Sequence, residues 1–263
     1  MRSAPAGLRR TAREYLPAAL FLVALVAVWE WTVRARDVAS YLVPPPSSLW
    51  TAFLDQRGVL PQHIQTTMTE ALLGLFFAVV LGVGLAALIA SLPLVRRVLY
   101  PVLVVSQNIP VLVLAPLLAV WFGFGLMPKV VIVVLIGFFP IAVNTAEGLM
   151  SADREMIALV RSMGASRWQV LRTVLVPSAV PSFFAGLQIG AAYAVIGAVI
   201  AEWMGASSGL GLFITRSQRA FRTDQIFMAV VVIALVSIAL FAGVQLLARL
   251  VMPWRRNGAS VEN

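Results

Sequence analysis

At 263 residues the chain is 60% hydrophobic and only 12% charged, with a mean hydropathy of +0.92, which marks a membrane protein and makes its length a count of spans, not of soluble cores. It contains no cysteine, so disulfides, thiol nucleophiles and cysteine-held metals are excluded. Its formal net charge of +9 is no nucleic-acid stripe, because the basic residues flank apolar runs, the arrangement that orients a chain in a bilayer.

A bilayer core of ~30 Å takes about 20 helical residues. Six apolar runs of that order occur, at 16–33, 71–92, 98–127, 130–146, 178–201 and 225–248, with Glu30 the one charge inside them. The predicted fold is all-α and polytopic, with six transmembrane helices. Arg2, Arg9, Arg10 and Arg13 precede the first run, which is too long for a signal core and lacks a small-residue cleavage pattern after it. Assigned to alternating sides, thirteen of the twenty Lys and Arg residues fall on the side of both termini and of the 153–177 segment, and seven on the other. Both termini are therefore expected to be cytoplasmic.

After the first span, Val43-Pro-Pro-Pro-Ser-Ser-Leu49 predicts an extended corner, and 49–60 a short helix on the outer interface. His63, the single histidine, has no His/Asp/Glu cluster beside it and reads as an interfacial loop residue, not a metal ligand. The second span carries Gly74, Gly82 and Gly84 among Ala78, Ala86 and Ala87, small residues that let helices approach closely. In the third, Pro101, Pro110 and Pro116 interrupt the run, and Ser106, Gln107 and Asn108 sit together beside the middle proline. Broken helix and polar side chains at membrane depth belong either on a water-filled path or in hydrogen bonds between helices, and both readings stand.

Trp121-Phe122-Gly123-Phe124-Gly125, then Pro128-Lys129, predicts a tight outer turn, after which the fourth span runs to Glu147, an interfacial carboxylate. The fifth holds Gly186, Gly190 and Gly197 roughly on one side and ends at Glu202, placed either at the outer interface or against an aqueous cavity. Residues 205–211 read as a flexible glycine-serine stretch, and 214–221 as an outer helix. No Gly-Lys-Ser/Thr follows those glycines, so a nucleotide site is not expected in this chain.

Between the fourth and fifth spans lies the one long polar and basic segment, 153–177. Met156, Ile157, Val160 and Met163 gather on one helical face, Gly164 can take the left-handed conformation that ends a helix, and Ser166 with Gln169 has capping-box spacing. The segment predicts helix, sharp turn, helix, with Pro177 at the start of the next element. Gly164, nine residues, Val174, one residue, then Val176-Pro177 resembles the EAA loop of ABC importer permeases, Glu-Ala-Ala, three residues, Gly, nine residues, Ile, one residue, Leu-Pro. Here Ala158, Leu159 and Val160 stand at the Glu-Ala-Ala positions, and Glu155 lies one turn earlier.

The resemblance covers about 44–254 and is to the permease subunits of type I ABC importers, in the nitrate, sulfonate, taurine and thiamine-precursor branch, where a Pro-Pro-Ser corner like that at 45–47 often precedes the core. It implies a five-helix core over 66–252 with the coupling loop at 151–177, a peripheral first span and outer segment over 15–65, and cytoplasmic tails at 1–14 and 253–263. It also implies that Glu155, Ala158, Gly164, Ala165, Ser166 and Pro177 couple the chain to an ATPase dimer. Ser106, Gln107, Asn108 and Glu202 are the candidates for the translocation path. ATP and Mg would act on the partner ATPase, with no catalytic residue, metal or cofactor in this chain. The other implied partners are a second permease copy, as a homodimer, an extracytoplasmic solute-binding protein and the lipid of a prokaryotic plasma membrane, with no nucleic acid.

Phe138-Phe139-Pro140-Ile141-Ala142-Val143-Asn144-Thr145 and Glu202-Trp203 look most like the permeases for thiamine pyrimidine precursors, with a sulfonate, taurine or nitrate permease as the alternative. An ion-coupled secondary transporter is the rival of another class, against which stands the scarcity of ionisable groups within the spans: only Glu30, Glu147 and Glu202, all at span ends, offer a relay. A membrane enzyme would show a metal cluster, nucleophile elbow or acid pair, and none can be read.

Overall fold

The computed structural model describes residues 6–253, with side chains from residue 16. The charges at Arg2, Arg9, Arg10, Arg13, Arg255 and Arg256 lie outside the described residues or side chains, as does the tail beyond 253. Helices follow one another as α1 Ala6–Ala35, α2 Pro46–Gln56, α3 Leu60–Ser91, α4 Pro93–Ser106, α5 Val111–Phe122 and α6 Leu126–Met150. Then come α7 Arg154–Ser162, α8 Arg167–Val170, a π-helical turn at Leu171–Leu175, α9 Val176–Glu202, α10 Leu210–Arg219 and α11 Thr223–Val251. Among the described residues five helices are long and apolar enough to cross a membrane. The third predicted span is instead the pair α4 and α5, bent by 96° at the Gln107–Pro110 break, and makes a sixth crossing only if the two are counted together. Pro110 has no N–H to continue α4, so the chain turns there.

The chain forms two compact units. The first comprises residues up to 59 and 214–231. In it Glu30 is used locally: its carboxylate accepts from Ser47 N at 3.0 Å and Ser47 Oγ at 2.9 Å and pairs with Arg34. A carboxylate from α1 thus satisfies an orphan N–H in the first turn of α2. The expected extended corner is shorter than 43–49, because Pro45 alone is the extended cap and Pro46 is already the first helical residue, where its missing N–H costs nothing. Trp29 and Phe227 rings pack at 5.7 Å, and Thr223 Oγ1 donates to Tyr41 O at 2.6 Å.

The second unit, 60–213 with the chain from 232 onward, is built on α3, α6 and α9. Small residues set their spacing. Gly74 sits against Val133, Gly82 against Ile141, and Gly186 against the backbone of Pro140 and Ile141. Ala71, Ala78, Ala191, Ala194 and Ala198 fill the layer between the helices, with Val244 and Ala248 of α11 and Met252 just after it completing it. Gly84 does not share this role: a Cβ there would meet nothing within 4 Å.

Candidate functional site

The turn between α7 and α8 is specified by its own residues. Asp153 caps α7, accepting from Glu155 N at 2.8 Å. At the other end Gly164 N–H donates to Arg161 O at 2.9 Å and Ala165 N–H to Val160 O at 3.3 Å, the paired bonds of a Schellman motif, with Gly164 at φ +84°. Ser166 then opens α8 with a reciprocal capping box: Gln169 N–H donates to Ser166 Oγ at 3.4 Å and Ser166 N–H to Gln169 Oε1 at 2.7 Å. No residue of α7 is buried. Met156, Leu159, Met163 and Trp168 are exposed, the last two at 79% and 69%, beside the exposed Arg154, Arg161 and Arg167. Glu155, Ala158 and Ser166 are exposed on the same elbow, and Ala165 is half-buried in the turn.

Pro177 stands in the first turn of α9, as expected, but no break precedes it. The helix runs on from Arg167 to Glu202, 36 residues, because the turn before the proline is widened: Val176 N–H donates to Leu171 O, five residues back. A widened turn relieves the ring of its clash with the preceding carbonyls and leaves no α-type bond for the missing N–H to forfeit.

Where α4 breaks from α5, a cavity of about 550 Å³ opens toward α6 and α9. Phe138, Phe139 and Tyr193 supply aromatic surface, and Ser106, Gln107 and Asn144 supply polar groups. Asn144 Nδ2 gives one of its two N–H donors to Pro140 O at 2.8 Å, and the Ser106 hydroxyl donates to Leu103 O at 2.7 Å. None of the lining residues is charged. Asn108 is not among them, since its amide folds back toward Val104 O at 3.3 Å.

Glu202 does not line that cavity. It is 1% exposed, accepting from Thr67 Oγ1 at 2.6 Å and from Gly211 N–H. Close to it Lys129 Nζ pairs with Glu70, itself 1% exposed. Lys129, expected in a tight outer turn, lies instead in the first turn of α6 and is buried at 8% exposure. His63 lies on α3, not in a loop, and its Nδ1 accepts from Gly209 N–H at 3.0 Å, while Leu210 N–H donates to Thr67 Oγ1 at 2.9 Å. The 205–211 stretch is pinned by these bonds where flexibility was expected. Helix α10 starts earlier than expected, at Leu210, because that residue is fully buried. Glu70 was missed because it falls one residue before an apolar run, and nothing in the spacing of 70, 129 and 202 links them. The one local signal is that Thr67 and Glu70, three apart, share a helix face.

Similarity to known proteins agrees with this architecture. Residues 57–257 match the family of binding-protein-dependent transport system inner membrane components. The formylaminopyrimidine transport permease protein ThiX of Halalkalibacterium halodurans is 38% identical over 90% of this chain and 95% of its own length. The riboflavin transport system permease protein RibX of Chloroflexus aurantiacus is 37% identical over 91% and 89%, and the taurine transport system permease protein TauC of Escherichia coli 33% over 89% and 87%. Among solved structures the MetNI methionine ABC transporter, in an inward-facing conformation, superposes with a TM-score of 0.65 at 20% identity, over 75% of this chain and 98% of that one. With a family match spanning most of its length, and the same fold in a solved transporter, the chain belongs to the binding-protein-dependent inner membrane components, the multi-pass permease subunits of ABC importers.

Proposed function

We propose that this permease subunit imports a neutral, flat heteroaromatic solute of the thiamine-pyrimidine-precursor class. The observation that carries the reading is the chemistry of the cavity at the α4–α5 break: three aromatic rings with the amides of Gln107 and Asn144, and no cationic group. Rings stack on aromatic faces, and amides match the donor and acceptor edge of a pyrimidine. Taurine, sulfonates and nitrate are anions or carry an anionic group, and a desolvated path for them calls for Arg, Lys or convergent N–H groups. The printed substrate of ThiX points the same way, while that of RibX, also flat and aromatic, makes riboflavin the competitor to test.

In this reading ATP and Mg are bound and hydrolysed by a separate ATPase dimer, two copies of this chain form the path, and an extracytoplasmic solute-binding protein delivers the solute. The α7–α8 elbow is the handle. Its exposed Met156, Leu159, Met163 and Trp168, ringed by arginines, form an apolar knob on a stiff turn, suited to a cleft on another protein. Gly164 and Ser166 set its angle, Ala158 and Ala165 keep its surface small, and Glu155 lies in the first turn of α7. Both termini and the elbow are cytoplasmic, by the thirteen-to-seven division of basic residues. The test is ATP-dependent uptake in proteoliposomes holding the permease, its ATPase and its binding protein. Radiolabelled formylaminopyrimidine is expected to accumulate, with no competition from excess taurine; accumulation of taurine or riboflavin in its place would refute the solute assignment.

A further inference from the structure

We propose that Glu70 and Glu202 hold one proton between their carboxyl groups, a buried acid pair that seats the 205–211 loop on the ends of α3, α6 and α9. The inference does not depend on which solute is carried.

Four carboxyl oxygens meet at this point. Lys129 Nζ donates to Glu70 Oε1, Thr67 Oγ1 to Glu202 Oε1, and Gly211 N–H to Glu202 Oε2. The fourth, Glu70 Oε2, is fully buried and has no donor among the described residues. Thr67, which donates to Glu202, stands three residues before Glu70 on the same face of α3 and so places the Glu202 carboxyl beside Glu70, yet two ionised carboxylates offer each other only lone pairs. A proton on the pair converts that facing contact into an O–H···O bond and supplies the missing donor.

The count of charges leads to the same place. The groups facing the pair are Lys129 from α6 and His63 from α3, and the 203–213 segment brings no ionisable side chain. His63 accepts at Nδ1 from Gly209 N–H, which places its proton on Nε2 and leaves the ring neutral. Two ionised acids and one ammonium would therefore leave an uncompensated negative charge among residues no more than 8% exposed. One shared proton makes the cluster neutral, the state that burial favours. A trapped water could satisfy Glu70 Oε2 but would leave that charge.

The proton matters to the loop because the loop is built onto the carboxyl. Gly211 donates to it directly, Leu210 through Thr67, and a Cβ at Gly209 would overlap the Glu202 side chain. Loss of the proton sets two like charges side by side beneath these bonds and drives Glu202 away from its neighbour.

Infrared spectroscopy of the full chain in lipid nanodiscs tests this, with glutamate carboxyl groups labelled with carbon-13. At neutral pH the wild type is expected to show a protonated-carboxyl C=O band that shifts with the label. In E70Q the band is expected to vanish while the thermal unfolding temperature stays near wild type, because the amide N–H takes the place of the proton. E70A, which supplies no donor, is expected to unfold at a lower temperature. Absence of the band in the wild type overturns the proposal, as does a band that survives in both E70Q and E202Q. Should E70Q fail to fold, the wild-type band and its loss in E202Q decide the matter.

Discussion

At Lys129 a single nitrogen compensates a pair of acids that the helices have already removed from water. Taking away one partner of a buried, hydrogen-bonded ion pair costs about 3–5 kcal/mol, because the remaining charge is stranded. Lys129→Met is therefore expected to lower the thermal unfolding temperature of the purified permease strongly, by tryptophan fluorescence in detergent, while Lys129→Arg is expected to lose less. Gly164 acts through backbone conformation alone, since a Cβ there would meet nothing within 4 Å, yet its φ is +84°. A β-branched residue in that left-handed region costs ~1–2 kcal/mol, so Gly164→Val is expected to abolish ATP-coupled uptake with membrane insertion intact. Gly164→Asn is expected to retain uptake, because asparagine tolerates this conformation. Equal uptake by all three would remove the elbow from the mechanism.

The element that joins the elbow to the buried acid pair is the unbroken helical rod from Arg167 to Glu202. At about 1.5 Å per residue its 36 residues reach ~54 Å, enough to cross a bilayer with a turn to spare. Gly186 and Gly190 pack closely against α6, so in the proposed coupling a push on α8 would reach Glu202 and the 205–211 loop instead of being absorbed on the way. The widened turn before Pro177 sets the rotation of α8 about the rod axis. Pro177→Ala restores an N–H and permits an ordinary α turn, which would swing Trp168 and Arg167 around the axis. Its expected signature is unchanged or raised thermal stability together with reduced uptake. Ser166→Ala removes half of the capping box and is expected to cost about 1 kcal/mol of local stability, read as faster amide exchange across α8 without a change in α9.

For the whole molecule, the proposed coupling to an ATPase requires the elbow to lie on the cytoplasmic side of the membrane. The chain has no cysteine, so Ser166→Cys and Ser207→Cys can be labelled without background. In intact cells an impermeant thiol reagent is expected to reach Cys introduced at the exposed position 207 and not the one at 166, which should react only after permeabilisation. The opposite pattern would overturn the cytoplasmic placement. The sequence by itself determined the all-α membrane class, the helix-turn-helix at 153–177 and most small-residue contact faces. Each of these rests on hydrophobic runs, helical spacing or caps that reach no further than a few turns along the chain. Only the tertiary structure decided that the third apolar run bends by 96° around a cavity, that Pro177 lies within a continuous rod, and that Glu70, Lys129 and Glu202 meet out of contact with water. Those residues are 59 and 73 positions apart along the chain, and the balance of buried charge between them exists only once α3, α6 and α9 have packed.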